Sequence, residues 1–248
     1  MPLWENCAVL HQNKEDGHAL AFTYAAKADA LAFAPAAVRF SLNGQWRFLW
    51  QKGFPFEKGL HSLEGAIPPG CTDAQHDDSD WDCITVPGVW QLQGYGSPYY
   101  YAISYPQAID TRRIPRISRP LQEAGIYRRC FTLPEHFAGN EIYLHFGAVK
   151  SALEVYVNGQ YAGYSQGSMT PHEFNVTGLL RSGENQITAV VWRYSDGTYL
   201  EDQDMWFFSG IYRDVFLYAE PKLHVRDFYM RCEIEPGDNA SAHLTLYL

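Results

Sequence analysis

Apolar residues along this chain recur mostly at every second position, the period that lays one face of an extended strand on a core. In Gln45–Trp50 the rings of Trp46, Phe48 and Trp50 fall on one side, and Ile142–Phe146 alternates the same way. The strongest local signal is Leu153–Val157, then Asn158-Gly159, then Gln160–Ser165. Two alternating runs are joined there by the dipeptide that supplies both φ > 0 positions of a type I′ turn. Ile187–Trp192 is almost continuously apolar and reads as a central strand buried on both faces. Further strands are expected at Ile84–Val86 and Asp214–Tyr218. Many short strands, frequent turn signals and few helical periods predict an all-β fold, a jelly-roll β-sandwich.

The two ends differ from the middle. Residues 1–41 are Ala-rich, with one short helix expected around Ala25–Phe33 that stops before Pro35, and read as an arm lying on something else. The sandwich is assigned to 42–219. Glu220-Pro221 marks a boundary, after which Leu223–Cys232 and Ala242–Leu248 flank a turn at Pro236–Asn239. Two strands are not stable alone, and an alternating apolar edge such as His243–Leu248 is rarely left open. Residues 220–248 are therefore expected to begin a second, truncated β domain, and the chain to be a fragment of a longer protein.

Composition narrows the function. Hydrophobic residues at 46% and charged residues at 19% of 248 describe a folding chain, not a disordered one. A net charge of −9 argues against a nucleic-acid surface. No apolar run approaches the ~20 residues that span a bilayer, and Met1–Asn6 lacks the basic-then-apolar pattern of a secretion signal. The expectation is a cytoplasmic protein with neither nucleic-acid nor membrane partner. Five cysteines without C-x-x-C spacing favour reduced thiols and ordinary core filler. The histidines show no zinc spacing. Asp73, Asp77, Asp78, Asp80 and Asp82 lack the central Gly and final Glu of a calcium loop and read as a polar turn. Arg112, Arg113, Arg116 and Arg119 read as a solvated basic loop.

Candidate chemistry lies in two long stretches without periodicity, Ser97–Gly125 and Ser195–Gly210. The second places Glu201, Asp202 and Asp204 within four residues. In an extended segment Asp202 and Asp204 share a side and Glu201 opposes them. Such crowding calls for a cation or donors, and hard oxygen ligands suit Na⁺, Ca²⁺ or Mg²⁺. The acidic run leads straight into Met205-Trp-Phe-Phe208, so the segment is expected to dip into the structure. A carboxylate beside an aromatic platform suits a sugar, whose hydroxyls need acceptors and whose C–H face packs on a ring. A glycosidase pair would need carboxylates ~5–5.5 Å or ~6.5–9.5 Å apart. Glu201 with Asp204 is a conceivable pair, but no pocket that would raise a carboxyl pKa is legible around it, so binding is favoured over catalysis.

Several strings resemble one family. Leu42-Asn-Gly-Gln-Trp-Arg-Phe48, Val86-Pro-Gly-Val-Trp-Gln91 with Gly94-Tyr95, Tyr105-Pro106, Val157-Asn-Gly159 and Gly178-Leu-Leu-Arg-Ser-Gly-Glu-Asn185 all look like the amino-terminal sugar-binding domain of glycoside hydrolase family 2 β-galactosidases. Above all this holds for Leu200-Glu-Asp-Gln-Asp-Met-Trp206 with Ser209-Gly-Ile-Tyr-Arg-Asp-Val215. Trp4-Glu5-Asn6 and Glu154–Ser168 are most similar to the large subunit of the evolved β-galactosidase type. The resemblance implies a jelly roll followed by an immunoglobulin-like domain and a TIM barrel, with both catalytic glutamates in the barrel and none in this chain. It implies that Asp204 binds a galactosyl hydroxyl and Na⁺, with Mg²⁺ expected only in the missing barrel. The family's second sugar contact from this domain, an Asn or Asp, falls on Ala102, which has no polar side chain, so that contact is lost unless Ser104, Tyr100 or Tyr101 replaces it. The implied partners are a lactose-like galactoside, the remainder of the β-galactosidase chain and further copies in a homo-oligomer, with residues 1–40 making subunit contacts. The alternatives are a free-standing carbohydrate-binding module and a complementing fragment without activity of its own.

Overall fold

The computed structural model describes residues 1–34, 36–53, 67–100, 112–201, 203–234, 237 and 241–248. Fifteen strands occur among them: β1 (His11–Gln12), β2 (Arg39–Ser41), β3 (Gly44–Lys52), β4 (Asp82–Val86), β5 (Glu123–Thr132), β6 (Glu141–Phe146), β7 (Val149–Lys150), β8 (Ala152–Val157), β9 (Gln160–Gln166), β10 (His172–Asn175), β11 (Glu184–Trp192), β12 (Gly210–Ile211), β13 (Val215–Glu220), β14 (Tyr229–Ile234) and β15 (Ala242–Tyr247). A seven-stranded sheet in the order β1-β9-β8-β11-β5-β3-β4 faces a four-stranded sheet in the order β10-β6-β13-β2, and every pairing in both is antiparallel. The result is the expected β-sandwich. One helix, Lys27–Leu31, falls inside the expected span.

Period-two patterning explains the layers. Trp46, Phe48, Tyr127, Leu153, Val155, Ile187 and Val191 of the large sheet meet Leu144, Phe146, Phe174, Val215 and Leu217 of the small one in the main core. The intervening residues Ala124, Ile126, Val190 and Trp192 point to the other side, where Trp4, Trp81 and Ile117 cover them. The unbroken apolar run of β11 thus reflects burial on both faces. Trp4 lies 5.3 Å from Trp192, centroid to centroid. Asn158 (φ 53°) and Gly159 (φ 80°) make the β8–β9 turn with both residues left-handed, as their sequence requires.

Residues 4–5, 11–12 and 22 of the amino-terminal stretch rest on the sandwich itself, whereas Lys27–Leu31 buries no side chain. Glu5 is buried and forms a two-pronged pair with Arg119 at 2.6 and 2.9 Å, while the Arg119 guanidinium sits 4.6 Å from the Trp4 ring. Arg119 is therefore not part of a solvated loop; Arg113 and Arg116 are exposed as expected. β1 pairs with β9, and Phe22 packs edge-on against Phe216 and Tyr218 of the small sheet.

Pattern reading also missed β5, the neighbour of β11, because Arg128 and Arg129 interrupt its apolar run. Arg128 is 1% exposed and fully bonded: its guanidinium donates to Asp78 and to the carbonyls of Cys71, Asp73 and His76 at 2.7–3.2 Å. Asp78 and its neighbours thus do more than make a polar turn. Of the cysteines only Cys71 is buried; Cys7, Cys83, Cys130 and Cys232 are exposed, so core filling describes one thiol of five. β14 and β15 form a separate antiparallel hairpin, exposed along its length. Among the described residues no helix is long and apolar enough to cross a membrane.

Candidate functional site

The candidate site lies at one edge of the sandwich, where the segment before β12 meets the segment after Gly96. Its foundation is buried. Arg193, just past β11, pairs with Glu123 of β5 at 2.8 Å, donates to the carbonyl of Ser97 at 2.9 Å and lies 4.9 Å from the Tyr99 ring. Trp50 donates to the second Glu123 oxygen at 3.2 Å. Gly96 turns the chain at this point with φ 70°, and a Cβ on it would lie 3.0 Å from the Glu123 carboxylate. Tyr99-Tyr100 then pairs with Trp206-Phe207: Phe207 N–H donates to Tyr99 C=O at 2.8 Å, and Tyr100 bridges Trp206.

Asp204 sits on this platform and is exposed. The phenol of Tyr100 donates to its Oδ1 at 2.5 Å. That bond, with the carboxylate's negative charge, holds the Tyr100 hydroxyl above its ordinary pKa, so it remains a donor at neutral pH. The rings form a row: Tyr100 lies 5.5 Å from Trp206 at 47°, and Trp206 stacks on Phe208 at 5.9 Å and 11°. Trp206 is 50% and Tyr100 48% exposed, so a ligand can reach both. Beside Trp206 runs a largely apolar groove of about 300 Å³ between Val89, Met169, Met205, Phe208 and Tyr212, with Lys150 at its side.

Glu201 is turned to a different task. Its carboxylate accepts from Ser168 N–H at 2.8 Å and Ser168 Oγ–H at 2.5 Å, and Tyr212 O–H donates to the Ser168 carbonyl. It clamps the 167–169 turn to the segment before β12. Glu201 and Asp204 thus have separate hydrogen-bond partners, Ser168 for the one and Tyr100 for the other. Asp202 and Ala102, with Tyr101 and Ser104, lie outside the described residues. Of the three residues named as substitutes at the Ala102 position, Tyr100 is the described one, and it stands beside Asp204. Ser168 and Tyr212 both lie in strings that carry the family likeness, but neither belongs to an acidic or aromatic run that would mark the clamp.

Asp204 offers the hard oxygen an alkali cation prefers. Among the described residues, however, no group of three or more His, Cys, Asp or Glu side chains could hold a metal ion. These residues fit Na⁺ only as one ligand of a larger set.

The fold is a two-sheet antiparallel sandwich, and an exposed carboxylate beside stacked rings is chemistry that suits a sugar ligand. Residues 40–221 match the glycosyl hydrolases family 2, sugar binding domain, and the chain belongs to that family. It is 40% identical over 232 residues to β-galactosidases of Psychromonas ingrahamii and of Vibrio cholerae. Each match covers 94% of this chain and 21% of the relative, so the chain spans about a fifth of the length of these curated relatives. Among solved structures, a β-glycosidase from Bacteroides vulgatus matches with TM-score 0.59 and 21% identity over 84% of this chain and 23% of that one. An uncultured Clostridium β-glucuronidase matches with TM-score 0.58 and 18% identity over 93% and 35%. These two support the fold.

Proposed function

We propose that the chain is the sugar-binding domain of a retaining β-galactosidase that removes terminal β-D-galactose residues, and that its catalytic glutamates lie outside these 248 residues. The observation that carries the reading is the open position of Asp204: an acidic side chain at the surface, beside exposed rings, with no cationic partner among the described residues. Its carboxylate accepts a galactosyl hydroxyl and supplies one oxygen to Na⁺, the other ligands coming from the remainder of the longer protein, where Mg²⁺ is also expected. Alanine at position 102 brings no side-chain hydrogen-bonding group, so affinity rests more heavily on Asp204. Assembly as a homo-oligomer and action in the cytoplasm belong to the same proposal; five free thiols suit a reducing compartment.

The test replaces the aligned segment of the Psychromonas ingrahamii relative by this chain and follows hydrolysis of a chromogenic β-galactoside. The chimera should turn over, and Asp204→Asn should lower kcat/KM by roughly 10- to 100-fold, the range of a lost charge-assisted hydrogen bond. The 248-residue chain alone should release no product. Turnover by the chain alone that Glu201→Gln or Asp204→Asn abolishes overturns the proposal, as does a folded chimera indifferent to Asp204→Asn.

A further inference from the structure

We propose that Tyr100 is the positioning residue of Asp204: its phenol fixes one carboxylate oxygen and thereby presents the other to the sugar. This rests on the reading of Asp204 given above. An exposed aspartate ordinarily exchanges among rotamers, and freezing it on binding costs affinity. Here that ordering precedes the ligand. A rigid line of contacts runs outward from the core: Glu123 holds Arg193, Arg193 holds the Ser97 carbonyl and the Tyr99 ring, and Tyr99-Tyr100 pairs with Trp206-Phe207. Tyr100 has only two side-chain torsions, and its ring leans on Trp206, itself stacked on Phe208. The hydroxyl at the end of this line donates to Asp204 Oδ1. A carboxylate accepts at about four lone-pair positions over two oxygens, so this bond leaves Oδ2 as an acceptor. Among the described residues Asp204 has no other hydrogen-bond donor, so of these Tyr100 is the one that orients it.

Two measurements test the inference. In the isotopically labelled 248-residue chain, the Hα–Hβ couplings of Asp204 should report one χ1 rotamer, and Tyr100→Phe should average them while leaving the melting temperature within about a degree. In the galactosidase chimera, Tyr100→Phe should lower kcat/KM about tenfold, and Tyr100→Phe with Asp204→Asn should be no worse than Asp204→Asn alone, because one residue acts through the other. Couplings already averaged in the parent, couplings unchanged in Tyr100→Phe, or losses that multiply in the double variant overturn the inference. If Asp204→Asn itself leaves kcat/KM unchanged, the role of Asp204 fails instead, and the couplings still decide whether Tyr100 orients it.

Discussion

Glu173 of β10 should make this domain acid-labile in a way one substitution can isolate. Its carboxylate is 5% exposed. It accepts from His18 Nε2 at 2.7 Å and from His145 Nδ1 at 2.9 Å, with Arg226 Nη1 at 3.4 Å. Arg226 in turn pairs with Glu15 at 2.9 Å, and Ala19 N–H donates to Asp227 at 2.8 Å. Glu173 therefore joins three segments: the sheet, residues 15–19, and the connector at 224–228 where His224 also lies. Burial by itself raises the carboxyl pKa, but hydrogen bonds from His145 and His18 outweigh it and bring the group down to about 2. The native carboxyl thus binds its proton less readily than the unfolded one, near 4.5. Its contribution is complete above pH 4.5 and is lost as pH falls from 4.5 toward 2. The gap corresponds to about 3 kcal/mol at neutral pH, in line with the roughly 3–5 kcal/mol for breaking a buried charged contact. Urea unfolding of the parent and Glu173→Gln from pH 7.5 to 3.5 should show a difference of about 3 kcal/mol at the top that narrows below pH 4.5. Hydrogen exchange in residues 15–22 and 222–228 should accelerate together in the variant. A stability difference that stays constant across this range refutes the linkage, and acceleration of only one segment refutes the three-way junction.

Two further expectations use other parts of the molecule. Glu5→Gln leaves the buried Arg119 charge without its partner and should cost roughly 3–5 kcal/mol, read as a lower urea midpoint; an unchanged midpoint removes the N-terminal turn from the folded core. Gly96→Ala forces a Cβ against the Glu123 carboxylate at a left-handed position and should cost about 1–3 kcal/mol, while galactosidase activity of the chimera falls with Tyr100 and Asp204 displaced; full activity would show that the 96–100 turn does not set the site.

Strands with strict alternation were legible, and so was the Asn158-Gly159 turn, because each signal is local. β5 was not, because its Arg128 is neutralised by carbonyls at 71–76 and by Asp78, some fifty residues upstream. A longer separation hid Arg119: a basic stretch looks solvated until Glu5, 114 positions away, is placed beside it. Asp204 was legible as a candidate from its acidic and aromatic surroundings and from family likeness. Its difference from Glu201 was not, since that depends on Ser168 reaching one carboxylate and Tyr100 the other. β1, β7 and β12 have two residues each, too few to carry any period.

The tie between Ala19 and Asp227 joins residues 208 positions apart, and that between Glu5 and Arg119 spans 114. On a ribosome adding ~5–20 residues each second, the first partner of the longer tie waits roughly 10–40 s for the second to be made. The ring partners of Trp4 and Phe22 also come late, Trp192 for the first and Phe216 and Tyr218 for the second. The nascent leader of this domain is thus a sticky, unprotected stretch during synthesis, a natural client for chaperones that patrol the exit tunnel, and a poor place to attach a bulky fusion.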